Sequence, residues 1–226
     1  MTRRSAVITL VGLVGLAAMP GLQAQESLDL SAIGTTCLAT ELDDCHVRTA
    51  GYFNRSDFGD EDGAPLIAWQ TQIGTSEMDG YIGGFVLLRH DGEGWSVFDS
   101  GFDGFFEAPR LNPENVLHIP GYSQGTGAFN MDRLYRLEED GTTWTPIDMN
   151  NWLEGVQLPD DLEIWKGVAF DFSNPWSGYF AISGLWAPDD GNCCPSGGEA
   201  RIKLDIVDDK VVGSDVIHTP PEEGSN

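Results

Sequence analysis

The sequence predicts an all-β domain built from three antiparallel units, and three observations predict it. Asp-Gly pairs recur at Asp62-Gly63, Asp79-Gly80, Asp91-Gly92, Asp103-Gly104, Asp140-Gly141 and Asp190-Gly191. Gly accepts positive φ freely and Asp does so more readily than most residues, so such pairs between apolar runs mark tight turns. The segments between them are short and rich in β-branched and aromatic residues. Helical periodicity is scarce: the one stretch that carries it, Asn150 to Leu158, has Gly155 in its interior, which weakens a helix there.

Taken in order, the chain opens with Arg3 and Arg4, continues through an apolar stretch from Ala6 to Met19 and reaches a small residue at Ala24. This is the pattern of a secretory signal peptide removed near Ala24. The apolar run stops at Pro20-Gly21, short of the about 20 residues a membrane-spanning helix needs. Ser5, Ala6 and Val7 after the two arginines do not complete a twin-arginine signal. Gln25, not a cysteine, follows Ala24, so a lipid anchor is not expected. The expectation is a periplasmic or secreted protein with no membrane anchor, with residues 25–218 as one all-β domain and 219–226, TPPEEGSN, as a disordered tail.

Strand character follows at 65–72, 84–90, 95–100, 115–122, 133–139, 144–149, 165–172, 178–186, 200–207 and 210–217. These segments align as an internal repeat. A first strand (Leu66 to Trp69, Val116 to Ile119, Tyr179 to Ser183) leads through a Gly-rich loop to a second (Phe85 to Arg89, Leu134 to Leu137, Ile202 to Ile206), which turns into a third. The turn reads DGEGW at Asp91 to Trp95 and DGTTW at Asp140 to Trp144, and DDKVV in the third unit. A preceding strand for each unit is expected within Cys45 to Phe53, Phe105 to Arg110 and Trp165 to Phe172. Units of three to four strands make a propeller-like architecture, but three blades fall below the about four of a closed ring. An open propeller or a β-sandwich is therefore expected.

Charge bounds the partners. With 36 acids against 12 bases the net charge is −24, and loss of the two signal arginines makes it more negative. Such a surface repels phosphate backbones and anionic membranes, which argues against nucleic acid. It suits solubility, a cation, or a cationic partner.

The densest cluster of oxygen donors is DFGDEDGAPLIAW, Asp57 to Trp69. Calcium takes six to eight oxygens in flexible loops, which makes Asp57, Asp60 and Asp62 the candidate ligands and calcium the candidate cofactor. The residues Asp57, Phe58, Asp62, Gly63, Pro65, Leu66 and Ile67 resemble the start of FG-GAP or VCBS-type β-repeats. That resemblance implies a loop that stabilises its repeat and does not catalyse. One extra residue and the missing acid between Pro65 and Leu66 depart from the pattern.

Four cysteines, Cys37, Cys45, Cys193 and Cys194, in an exported chain point to disulfides in one of three connectivities. Cys37 with Cys45 closes a short loop and is favoured. It leaves Cys193 and Cys194 to bond each other or stay free, and adjacent Cα atoms, about 3.8 Å apart, sit below the usual disulfide span of about 4.4–6.8 Å. Cross-linking the N-terminal pair to the C-terminal pair is the plainer way to close an array. The segment Asn192, Cys193, Cys194, Pro195 and Ser196 resembles a loop near the end of exported bacterial proteins of unassigned function. That resemblance implies export and fold and brings no activity.

For catalysis, Gly121, Tyr122, Ser123, Gln124 and Gly125 spell GxSxG, with Asp132 or a later acid and His218 following in Ser, Asp, His order. A nucleophile elbow needs a strand before the serine and a helix after it, and Thr126, Gly127 and Asn130 are poor helix formers. His46, His90, His118 and His218 show no metal-binding spacing. Acid pairs such as Asp160-Asp161, Asp189-Asp190 and Asp208-Asp209 serve a glycosidase only at carboxylate separations of about 5–9.5 Å, and neighbours in a turn point apart. Trp95 and Trp144, at equivalent turn positions, are read as packing residues; Trp176 and Trp186, beside a Gly-rich loop, are candidates for stacking on a ligand. The expectation is a non-catalytic binding or structural module for an unknown protein or small molecule. The alternatives are a hydrolase using Ser123 or a carboxylate pair, and an acidic inhibitor or partner of a cationic target.

Overall fold

The computed structural model describes residues 28–58, 63–90, 94–125 and 128–221. Residues 1–27, 59–62, 91–93, 126–127 and 222–226 lie outside that description. The expected signal peptide, the first three residues of the DGEGW turn and most of the expected tail thus fall outside the described residues. The described residues are all-β, with one short 3-10 turn, Arg55–Phe58. None of their helices is long and apolar enough to cross a membrane.

Three sheets hold four strands each; the first and third are runs of neighbours in sequence, and the second skips one strand. Sheet 1 is β1 (Asp43–Asn54), β2 (Pro65–Ser76), β3 (Gly80–His90) and β4 (Trp95–Gly101), all antiparallel. A two-stranded pair of β5 (Phe105–Phe106) with β8 (Gly121–Tyr122) follows. Sheet 2 is β6 (Arg110–Leu111), β7 (Val116–Ile119), β9 (Arg133–Leu137) and β10 (Trp144–Pro146). Sheet 3 is β11 (Ala169–Asp171), β12 (Tyr179–Gly184), β13 (Glu199–Val207) and β14 (Lys210–Thr219). The strands aligned from the sequence occupy the two central places of each sheet: β2 and β3, β7 and β9, β12 and β13. β14 pairs Thr219 with Glu199, so pairing reaches one residue into the segment expected as a tail.

Alternation along the strands shows how the sheets pack. Side chains one residue apart point to opposite faces. In β3, Phe85 and Leu87 join a core with Leu117, Ile119, Tyr135 and Leu137 of sheet 2, while Val86 and Leu88 face the other way. In sheet 2, Val116 and Leu134 turn toward sheet 3 and meet Tyr179, Ala181, Ile202 and Leu204. Cores therefore lie between sheets 1 and 2 and between sheets 2 and 3, an arrangement with which the sandwich alternative is compatible. The described residues form no closed ring.

The two ends of the stack are finished differently. Beyond sheet 1, residues 28–38 lie as a strap whose Leu28, Leu30, Ile33 and Leu38 cover Ala68, Val86 and Leu88. Beyond sheet 3 the outer positions Glu199, Arg201, Lys203 and Asp205 of β13 are exposed, while Ala200, Ile202 and Leu204 are buried.

The stretch 150–158 is a series of turns, not a helix. Asn151 and Gly155 take φ of +57 and +84°, left-handed values that end a right-handed helix. The Trp152 carbonyl accepts the Gly213 N–H of β14 at 2.7 Å, so the segment spends its backbone groups on sheet 3. Trp95 and Trp144 are packing residues: Trp144 is buried between sheets 1 and 2, and half-buried Trp95 packs on the core under the strap.

Candidate functional site

The cysteines pair within each end of the chain. Cys37 bonds Cys45, tying the strap to β1 at a Cα separation of 6.3 Å. Cys193 bonds Cys194, with Cα atoms 3.8 Å apart, in an exposed loop. One carboxylate shapes that loop: Asp190 Oδ2 accepts the N–H groups of Ala187 (2.7 Å) and Ser196 (2.8 Å). Contact with Ser196, side chain and backbone, lowers the Asp190 pKa.

Of the candidate calcium ligands, Asp60 and Asp62 lie outside the described residues. Asp57 sits in the 3-10 turn and its Oδ2 accepts the Asn54 N–H at 2.7 Å. Ser123 and His218 are placed in separate parts of the fold. Ser123 follows β8 and exchanges bonds with Phe129, donating its N–H to the Phe129 carbonyl (2.8 Å) and accepting the Phe129 N–H on Oγ (3.0 Å). His218 lies in β14 opposite Ala200, its Nε2 bonded to the Gly197 carbonyl at 2.7 Å. Among the described residues no helix follows Ser123. The acid pairs occupy turns, with Asp161, Asp208 and Asp209 at positive φ. Trp176 is 82% exposed on a turn capped by Asn174, whereas Trp186 is 6% exposed.

The structure brings together a different set of side chains. A cleft of about 370 Å³ opens where all three sheets approach one another. Sheet 1 contributes Asp99 of β4, sheet 2 Arg133, Leu134 and Tyr135 of β9, the residues before that strand Asn130 and Asp132, the connection after β10 Asp148 and Asn150, and sheet 3 Phe170. Its carboxylates are held by neighbours. Asp99 accepts the Tyr135 hydroxyl and the Ser100 N–H. Asp132 accepts the His118 Nε2–H at 2.6 Å and the Asn130 amide at 2.9 Å. Asp148 accepts the Asn150 N–H and side-chain amide at 2.8 and 2.7 Å. Burial, reinforced by Asp99, pushes the Tyr135 phenol far above its ordinary value, so it stays a donor. Arg133, the cation on this wall, donates to the Met131 carbonyl and to Asp103.

Chemically, the cleft is a rigid acidic concavity edged by Trp152 and Phe170, whose rings meet edge to face at 5.4 Å. Such a surface holds a positively charged group by Coulomb attraction without first reorganising. The His118–Asp132 pair, with side chains 4 and 5% exposed, was not singled out in the sequence. A histidine inside the apolar run VLHI, all four residues of which are buried, is the signal that would have found it, because a buried imidazole needs a partner.

No protein-family model, curated protein or solved structure matches the chain. The resemblances at 57–67 and 192–196 therefore stand on their own residues.

Proposed function

We propose that this chain is an exported, non-catalytic β-module of the periplasm or exterior, an open propeller-like stack of three units that binds a cationic group in the cleft where its sheets meet. The observation that supports the reading is the cleft itself, with Asp99, Asp132 and Asp148 each held by internal donors. The net charge of −24 adds long-range attraction for such a ligand. The Cys37–Cys45 disulfide staples the strap to the module, and calcium at Asp57, Asp60 and Asp62 is the proposed stabilising ion.

Calorimetric titration with spermidine tests the binding site. Saturable binding that falls with added salt and weakens about tenfold in Asp148→Asn is the expected result. Asp148 is exposed, so the variant is expected to fold. The reading fails if spermidine does not saturate, or if the protein instead hydrolyses p-nitrophenyl acetate in a manner lost in Ser123→Ala. Melting midpoints with calcium and with chelator test the ion: a rise with calcium that vanishes in Asp60→Asn is expected from mass action.

A further inference from the structure

The cationic cleft has a titratable group behind one of its carboxylates. His118 Nε2 and Asp132 Oδ1 meet at 2.6 Å, and the two side chains are 4 and 5% exposed. Asp132 borders the cleft, whereas His118 does not. The imidazole borders a separate, small cavity of about 40 Å³ with Arg110, Asn112, Asp171 and Ser173.

Strand alternation puts the histidine there. Leu117 and Ile119 of β7 join the core shared with sheet 1, and Val116 turns toward sheet 3. His118, two residues on from Val116, points the same way and meets the Phe172 ring edge to face at 5.1 Å. Few charges surround it. Asp132, before β9, holds Nε2 and keeps its other oxygen on the Asn130 amide. Leu134, the β9 partner of His118, is apolar. Arg110 stands opposite in β6 and is engaged with Glu107 at 2.6 Å. Asp171 of β11 accepts the Ser173 N–H and hydroxyl on one oxygen. With Nε2–H committed to Asp132, Nδ1 is the atom left to take a proton, and the small cavity is large enough to admit a water.

Two charge states of the wall follow. With the imidazole neutral, Asp132 gives the cleft a full negative charge beside Asp99 and Asp148. With the imidazole protonated, the pair sums to zero and the cleft loses one of those charges. A ligand need touch neither group, because the charge is felt across the poorly polarisable protein wall.

We propose, resting on the cationic reading of that cleft, that His118 makes its cation binding proton-dependent: a bound cation and a proton on Nδ1 oppose each other across Asp132. Affinity is high while His118 is neutral and falls as pH drops through its protonation. By linkage, the factor that the proton takes from the cation's affinity is the factor that the cation takes from the proton's.

Spermidine titrations at pH about 7.5 and about 5 bracket the range in which imidazoles ordinarily protonate, while exposed carboxylates stay ionised. Affinity is expected to be about fivefold lower at the acid end. Binding between the two should release protons, seen as a dependence of the calorimetric heat on the buffer's ionisation enthalpy. His118→Gln keeps an N–H donor for Asp132 and cannot take up a proton, so its affinities at the two pH values should agree within about twofold. His46→Gln, at an exposed position of β1, should keep the parent's pH dependence. If His118→Gln does not fold, the ring signals of His118 in the parent chain decide by NMR: in mid-range, spermidine should move them toward the neutral form. Failure of spermidine to saturate at either pH removes the cationic reading and the proton dependence together. Saturation with equal affinity at both pH values overturns the proton dependence alone, as does a parental pH dependence in folded His118→Gln or a His118 ring that keeps one charge state throughout.

Discussion

Gln70 is 1% exposed and yet carries an amide, and the whole of that amide is used. Its Nε2 donates to the carbonyls of Ile33 and Thr36, and its Oε1 accepts the Leu38 N–H and the Gln72 amide. One side chain thus satisfies three backbone groups of the strap. Gln70→Leu keeps the bulk and removes the partners, so each stranded group costs about 1–3 kcal/mol. A fall of that order in chemical-denaturation stability is expected, with the strap's amides losing exchange protection first. At the turn of the second unit, Asp140 accepts the Thr143 hydroxyl (2.6 Å) and the Thr143 and Thr142 N–H groups (both 2.8 Å), which hold its pKa down to about 2 from 3.8. Asp171, chiefly through Ser173, and Asp190, chiefly through Ser196, are lowered too. A lowered carboxylate stabilises the fold fully above its unfolded value and loses that contribution as pH falls through the folded value. Melting temperature followed from pH about 5 to about 2 should therefore fall more steeply in the parent than in Asp140→Asn. These roles were half legible: Asp140 belongs to a turn seen in the sequence, whereas Gln70 inside an apolar strand gave no sign of which backbone it serves.

At the scale of elements, hairpins were the easiest to read. Gly80 and Gly141 both take φ of +68° in turns marked by Asp-Gly, the backbone state those pairs favour. The segment 115–122 has the sequence character of one strand but forms two, β7 and β8, because Pro120 between them has no N–H for a ladder. β5, β6 and β8 have two residues each, too few for an alternation to show. The strap was invisible for a related reason: Leu28, Leu30, Ile33 and Leu38 are spaced neither as a helix nor as a strand, and only their common partner sheet unites them. Its covalent tie gives a direct test. Replacing Cys37 and Cys45 by serine should leave sheet 3 protected and raise amide exchange across 28–38 and at β1, an expectation checked by peptide-resolved exchange mass spectrometry.

Across the whole molecule, the joint between sheets 2 and 3 is polar at its rim. The Asn130 side chain accepts the Val168 N–H and donates to the Val168 carbonyl, both at 2.8 Å, imitating a strand pair. Gly167 lets this approach happen, since a Cβ there would overlap the Ala128 carbonyl oxygen. The same asparagine holds Asp132 in the cationic cleft. Asn130→Ala is therefore expected to lower stability by about 1–3 kcal/mol and to weaken spermidine binding. The order of the sheets was readable from the repeated segments, but this joint was not, because it is made by residues that lie between strands.

The unlike ends of the stack have a further consequence. Sheets that pack face to face present, at each end, a surface shaped to receive another such sheet, and a chain with two bare apolar ends would add copies of itself without limit. Here one end is closed by the protein's own strap over Ala68, Val86 and Leu88. The other carries Arg201 and Lys203 beside Asp205, and Arg201 lies 3.7 Å over the Phe180 ring, covering the aromatic with charge. The strap, no larger than a single turn and its flanks, thus takes one apolar sheet face out of reach of any neighbouring molecule.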